Sequence, residues 1–241
     1  MANDATSLKG KSVLITGGTR GIGFGIAEHL VGEDCRVLIT GRNEPDVEKT
    51  AAALNTVKQG SALGVRADVR NYDDMVEAVN RAVDAFGKLD VVIANAGVGH
   101  FAPIEEMTQD MWRETMDINL TGVFNTTKAG MDALKASEGY LITLASLAGT
   151  NFFAGGSAYV ASKFGVVGFT QSVMLDVRQQ GVKVTTIMPG SVASHFNGNV
   201  PGDKDDWKVQ PEDIGQLVAS LLRMPARALP SKVEIRPTRP P

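Results

Sequence analysis

Tyr159 and Lys163 stand four residues apart in the stretch Ser157-Ala158-Tyr159-Val160-Ala161-Ser162-Lys163. The segment reads as helix, and at that spacing two side chains share one helical face. A tyrosine hydroxyl has a reference pKa of roughly 10, and a nearby ammonium favours the phenolate and lowers it. A phenol tuned in this way can give a proton to an alcohol oxygen or take one from it. Pairs at this spacing also decorate helix faces without any chemistry, so the meaning of this one depends on what surrounds it. Ser146 follows the apolar run at residues 140–144 and can hydrogen-bond a substrate oxygen or simply begin a turn. Asn119 interrupts an otherwise good helical pattern, where asparagine is a mediocre former. Its amide holds a water, distorts the helix for a purpose, or is a tolerated surface group.

A second chemistry is phosphate binding. Gly17-Gly18-Thr19-Arg20-Gly21-Ile22-Gly23 has the spacing G-x3-G-x-G and lies between the apolar run Val13-Leu14-Ile15 and a helical pattern. Glycines let a backbone turn tightly and approach a phosphate. The helix that follows offers free N–H groups and a positive dipole end to a pyrophosphate. No G-K-[ST] follows, which excludes a P-loop. Residues 36–40 read as the second strand. Dinucleotide folds commonly carry a carboxylate near its end for the ribose 2′-OH. Here the strand runs into Gly41-Arg42-Asn43 with no acid. Arg42 instead suits a 2′-phosphate, which a guanidinium can hold in a bidentate way, and Arg20 supplies a second cation. Residues 63–69 read as a third strand ending in Asp68, which accepts from an adenine amino group or caps the next helix. Asn95-Ala96-Gly97, after the run at residues 89–94, lets the backbone come close to a planar or sugar group.

The elements that must position these residues alternate. Strands are expected at residues 11–16, 36–40, 63–69, 89–94, 140–144 and 182–188, with a last short one at 231–235. Helices are expected at 46–54, 74–86, 114–135, from Tyr159 to about 176, and from Pro211 to about 223. Residues 195–208 are irregular and read as a lid or binding loop. Phe152, Phe153, His195, Phe196 and Trp207 are candidates to line a substrate pocket. The economical fold is α/β: one doubly wound parallel sheet of about seven strands with helices on both faces. All the singled-out polar residues fall at strand C-termini or just beyond them, the ligand side of such a sheet.

Composition limits the alternatives. The chain has 241 residues, 43% of them hydrophobic, which suits one large globular domain. Its 24 basic and 27 acidic residues give a net charge of −3, no footprint for nucleic acid or an anionic membrane. The single cysteine, Cys35, rules out an intrachain disulfide and is expected to be buried. His29, His100 and His195 form no metal-spaced cluster, so no metal is expected. No apolar run approaches the roughly 20 residues that span a bilayer. Residues 1–7 carry no signal-peptide core, and a cytoplasmic location is the default. Residues 1–7 and the proline-rich 236–241 are expected to be mobile tails.

In order along the chain come T-G-G-T-R-G-I-G at residues 16–23, Asp68-Val69, N-A-G at 95–97, Asn119, Ser146, Y-V-A-S-K at 159–163 and P-G-S-V at 189–192. This set, in this order, resembles the short-chain dehydrogenase/reductase family over nearly the whole length. The resemblance implies a single Rossmann-type domain and a catalytic tetrad of Asn119, Ser146, Tyr159 and Lys163. In it Tyr159 is general acid or base, Ser146 holds the substrate oxygen, Lys163 binds the nicotinamide ribose and depresses the Tyr159 pKa, and Asn119 holds a water of the proton relay. It implies NADP(H) as cofactor, bound by Gly17, Thr19, Arg20, Gly21, Ile22, Gly23, Arg42, Asn43, Asp68, Val69, Asn95, Ala96, Gly97, Tyr159, Lys163, Pro189, Gly190 and Val192. A homo-oligomer, tetramer or dimer, is also implied. Most of the chain is similar to the β-ketoacyl-carrier-protein reductase group, which suggests a 3-oxoacyl thioester substrate. The ending V-E-I-R-P-T-R-P-P is instead similar to members that act on small 3-hydroxy acids such as serine or 3-hydroxypropionate. A cofactor-sensing protein without catalysis is the competing class, and the complete tetrad argues against it.

Overall fold

A computed structural model describes residues 7–240. Seven strands form one parallel sheet in the order β3-β2-β1-β4-β5-β6-β7. They are β1 (Ser12–Ile15), β2 (Arg36–Gly41), β3 (Ala62–Arg66), β4 (Val91–Ala94), β5 (Tyr140–Leu144), β6 (Lys183–Pro189) and β7 (Lys232–Ile235). The helices are α1 (Gly21–Gly32), α2 (Glu44–Val57), α3 (Tyr72–Phe86), α4 (Gln109–Met116), α5 (Gly122–Ser137), α6 (Ser157–Val177) and α7 (Pro211–Leu222).

The central strands β1, β4 and β5 are buried at every position because both faces of the sheet are covered, as parallel sheets require. Alternate residues divide between two cores. Val13, Ile15, Val37, Ile39 and Ile93 pack with Ile26 and Leu30 of α1 and with Ile214 and Val218 of α7. Leu14, Leu38, Val92 and Leu141 pack on the opposite face with Ala78 and Val79 of α3 and Leu134 of α5. Cys35 is fully buried, and desolvation pushes its thiol up to about 12.

β1 pairs with β2 on one side, Val13 opposite Val37, and with β4 on the other, Val13 opposite Val91. The chain therefore winds outward through β2 and β3, then returns to β4 and winds the other way. The crevice at the C-terminal ends of β1 and β4 is where such a sheet receives a ligand.

One expected boundary needs correction. The third strand stops at Arg66, so Asp68 lies in the turn beyond it. The long helix expected at residues 114–135, interrupted at Asn119 and Gly122, is α4 and α5 joined through a π segment at Asp117–Thr121 that contains Asn119 and ends just before Gly122. In the stretch expected to be the second tail, Arg236, Pro237 and Pro240 line the main cleft. Of the other expected tail, residues 1–6 lie outside the described residues. The irregular stretch at 195–208 contains two short 3₁₀ turns, Phe196–Gly198 and Asp203–Asp205. Among the described residues no helix is long and apolar enough to cross a membrane.

Candidate active site

A cleft of about 1280 Å³ runs from the glycine turn, across the ends of β2, β4 and β5, to Tyr159 and the 195–208 loop. Single ligands occupy pockets of roughly 300–1,000 Å³, so this one has room for an extended ligand and a second molecule.

At one end, Gly17 has φ +65°, a conformation that favours glycine. Gly23 lies so close to the turn that a Cβ there would sit 2.3 Å from the Gly17 carbonyl oxygen and 2.5 Å from Asn95 Nδ2. Asn95 closes this knot by donating to the carbonyls of Thr16 (2.8 Å) and Gly17 (3.0 Å). Gly23→Ala is therefore expected to lower stability by about 1–3 kcal/mol, the usual range for overpacking. Denaturant unfolding checks this, and an unchanged midpoint would show that the knot opens freely.

The start of α1 differs from the starts of α2, α3 and α4. Those three are capped by Asn43, Asn71 and Thr108 and carry acids in their first turns. α1 has no side-chain cap and no acid in its first turn. Its N-terminal N–H groups face the cleft between Gly21, Ile22 and Gly23, beside Arg20, an arrangement suited to an anion. Arg42 enters the cleft from the end of β2, and one of its nitrogens lies 3.8 Å from Glu114 of α4. Asn43 does not line the cleft; its side chain accepts from Asp46 N at 3.0 Å and caps α2, so its expected ligand role is not supported by its position. Asp68 and Val69 do line it. Asp68 does not cap α3, which Asn71 does. Arg70 grips it through Nε and a terminal nitrogen and lowers its pKa.

At the other end, Tyr159 stands in the first turn of α6 and Ser146 just past β5. Ser146 begins a turn, one of the two roles left open by the sequence. Its Oγ accepts from Ala148 N at 3.1 Å, starting a short turn, and donates to the Pro189 carbonyl at 3.4 Å; it is near enough to the Tyr159 hydroxyl to lower that phenol's pKa. Lys163, 4% exposed, donates to the Leu144 carbonyl at 2.8 Å, and its Nζ lies 5.7 Å from the centre of the Tyr159 ring. Burial raises the Tyr159 pKa, and the Ser146 hydroxyl alone opposes it. The lysine is directed at a backbone carbonyl and not at the phenol oxygen.

Burial also lowers the pKa of Lys163 from 10.5 to about 8. Between those values the unfolded chain binds the proton and the folded chain does not, so stability rises with pH across that window. Unfolding free energy measured for wild type and Lys163→Met from pH 7 to 10.5 tests this. The wild-type-minus-variant difference is expected to climb with pH, and a flat difference would contradict it.

Asn119 is fully buried. Its Oδ1 accepts from Val98 N at 2.8 Å, and its Nδ2 donates to Val98 O at 2.9 Å and Ser162 Oγ at 3.1 Å. It is no surface residue: its side chain braces the loop after β4 against α6. Gly97 lies beside both Asn119 and Lys163, which brings this brace to the cleft floor. Pro189, Gly190 and Val192 form the opposite wall.

Aromatic rings enclose Tyr159. Phe101 and Phe196 each lie 5.5 Å from it between centroids, and Phe153 packs edge-on against Phe101 at 5.6 Å. Phe153, His195, Phe196 and Trp207 line the cleft, whereas Phe152 is 84% exposed and does not. The sequence reading missed Phe101, His100 and Glu114. Phe101 and His100 follow the Asn95-Ala96-Gly97 stretch directly, a signal of position that was available; Glu114 had none.

Together these groups can bind an extended anion at α1 and exchange a proton with an oxygen at Tyr159. The profile of the short chain dehydrogenase family matches residues 11–205. The chain is 34% identical to a trans-4-hydroxycyclohexanecarboxylate dehydrogenase of Sinomonas cyclohexanicum, covering 88% of this chain and 85% of the relative. It is 36% identical to a D-beta-hydroxybutyrate dehydrogenase of Cupriavidus necator, covering 77% and 72%. Its fold matches an alcohol dehydrogenase of the archaeon Thermococcus sibiricus complexed with 5-hydroxy-NADP, with a TM-score of 0.89, 29% identity, and 96% and 99% of the two chains covered.

Proposed function

The chain belongs to the short chain dehydrogenase family, and we propose that it is an NADP(H)-dependent oxidoreductase that interconverts a carbonyl group and a secondary alcohol. The observation that carries this reading is that Tyr159 and Ser146 stand together at the end of a cleft that begins at an uncapped helix N-terminus. The cleft suits the dinucleotide. The free N–H groups of α1 meet the pyrophosphate, and Arg20 and Arg42 offer two cations to a 2′-phosphate. When bound, the cofactor supplies or accepts the hydride.

Ser146 holds the substrate oxygen, and Tyr159 gives its proton to that oxygen in reduction or takes it in oxidation. A raised pKa keeps Tyr159 protonated near neutrality, which suits reduction. Lys163 and Asn119 hold the floor of the site in place.

For the substrate we favour a 3-oxoacyl thioester. The rings around Tyr159 offer an apolar wall to an acyl chain. The cations at that end are already matched, Lys208 by Asp205 at 2.6 Å and Arg236 by Glu234 at 2.7 Å. Small 3-hydroxy acids are the second reading, favoured by the hydroxy-acid names of two relatives. We also propose a homo-oligomer. Phe124 of α5 and Phe164 and Leu175 of α6 are exposed large apolar side chains that a second copy would cover.

NADPH oxidation with a 3-oxoacyl thioester, run beside NADP reduction with serine and 3-hydroxypropionate, tests the reading. Thioester turnover is the expected result. Turnover of the acids alone transfers the assignment to them. NADPH binding without turnover of any carbonyl would make the protein a cofactor sensor.

A further inference from the structure

The adenosine end of the cleft holds a charge arrangement that the reaction does not use. Arg42 comes from the end of β2 and Glu114 from α4; both line the cleft, and they meet across it at 3.8 Å. The other oxygen of Glu114 lies 2.8 Å from His100 Nε2, on the loop after β4. The carboxylate is thus held from two sides, by a loop and by a guanidinium. The second acid at this end, Asp68, is gripped by Arg70 through two nitrogens. Asp68 also feels the Arg42 charge, but among the described residues Glu114 is the carboxylate within ion-pair distance of that guanidinium, at 3.8 Å. The two side chains are 53% and 38% exposed, so the pair adds little to folding stability.

A phosphate and a carboxylate within reach of one guanidinium repel each other. His100 keeps the carboxylate from swinging away and so keeps that repulsion at the site. On the reading that Arg42 meets the 2′-phosphate, we propose that Glu114 sets how strongly this chain prefers NADPH over NADH. It holds Arg42 across the cleft, and a 2′-phosphate must take the guanidinium from it. NADH carries no such group and leaves the pair as it is. Glu114 is therefore a positioning residue that narrows the preference for NADPH, and removing its charge widens it.

The experiment is direct measurement of cofactor Kd by fluorescence on the full chain without substrate, for wild type, Glu114→Gln and Glu114→Ala. Both variants are expected to bind NADPH about two- to fivefold more tightly at low salt, the scale of one exposed ion pair. NADH affinity is expected to stay within about twofold, and the NADPH gain to shrink as salt screens the charges. Unchanged or weaker NADPH binding in both variants overturns the proposal, since Glu114 would then only orient Arg42. Tightening in Glu114→Gln but not in Glu114→Ala also overturns it, because the new amide would be binding the phosphate. Arg42→Gln, measured alongside, separates the two levels. If the NADPH preference survives that change, the 2′-phosphate reading has failed. If it collapses while the Glu114 variants match wild type, only the role of Glu114 has failed.

Discussion

Tyr159→Phe is expected to lose about 10²–10⁴-fold in kcat, the range for removing one positioned acid or base. The substitution keeps the ring, its edge-on contacts with Phe101 and Phe196, and the helix that carries it. It removes only the hydroxyl that Ser146 meets. Cofactor affinity should stay near wild type, and stability should change by no more than about 0.5–1.5 kcal/mol, the net value of one hydrogen bond. The measurement is kcat and NADPH Kd on the same preparation. A variant that keeps more than about a tenth of its turnover would take the phenol out of the proton transfer, given the usual size of that contribution. The pH profile supplies a second check. Because burial raises the tyrosine pKa, reduction should persist into alkaline solution beyond the ordinary tyrosine range.

Arg42→Asp is expected to weaken NADPH binding by about 10- to 100-fold, the scale of a lost charge-assisted hydrogen bond to a phosphate. NADH should change by less than about threefold, since no phosphate meets residue 42 in that cofactor. The new carboxylate would also face Glu114, which now lies 3.8 Å from the guanidinium, and like charges add to the loss. Kd values for both cofactors decide the matter. Equal weakening of the two would mean that residue 42 shapes the loop and does not read the 2′ position.

Much of the fold could be read from the chain because a parallel sheet covered on both faces leaves continuous apolar runs. Val13-Leu14-Ile15 and residues 140–144 are such runs, and the strands fall there. Helix α3 was equally legible from its spacing of Met75, Val76, Val79 and Val83, of which Met75 and Val79 are buried and the other two half-buried. Boundaries were less so. β3 ends at Arg66 because the chain turns there, with Asp68 N donating to Asp74, a contact that no run of apolar residues announces. The split of the long helix into α4 and α5 was half visible, since Asn119 and Gly122 marked the place but not the π turn.

The sequence by itself determined the residues that stand a fixed number of positions apart. Tyr159 and Lys163 share a helix face, and the glycines of the first turn sit between strand and helix, because backbone geometry repeats at short range. Only the tertiary structure decided what each side chain meets. Asn43 turned to capping α2, Asn119 to bracing Val98 and Ser162, Arg42 to Glu114, and Arg236, Pro237 and Pro240 to the cleft. The sign of the Tyr159 shift was decided in the same way. Spacing put a lysine near it; packing directed that lysine at the Leu144 carbonyl and buried the phenol, and in the chain alone that burial raises the tyrosine pKa because it disfavours the charged form.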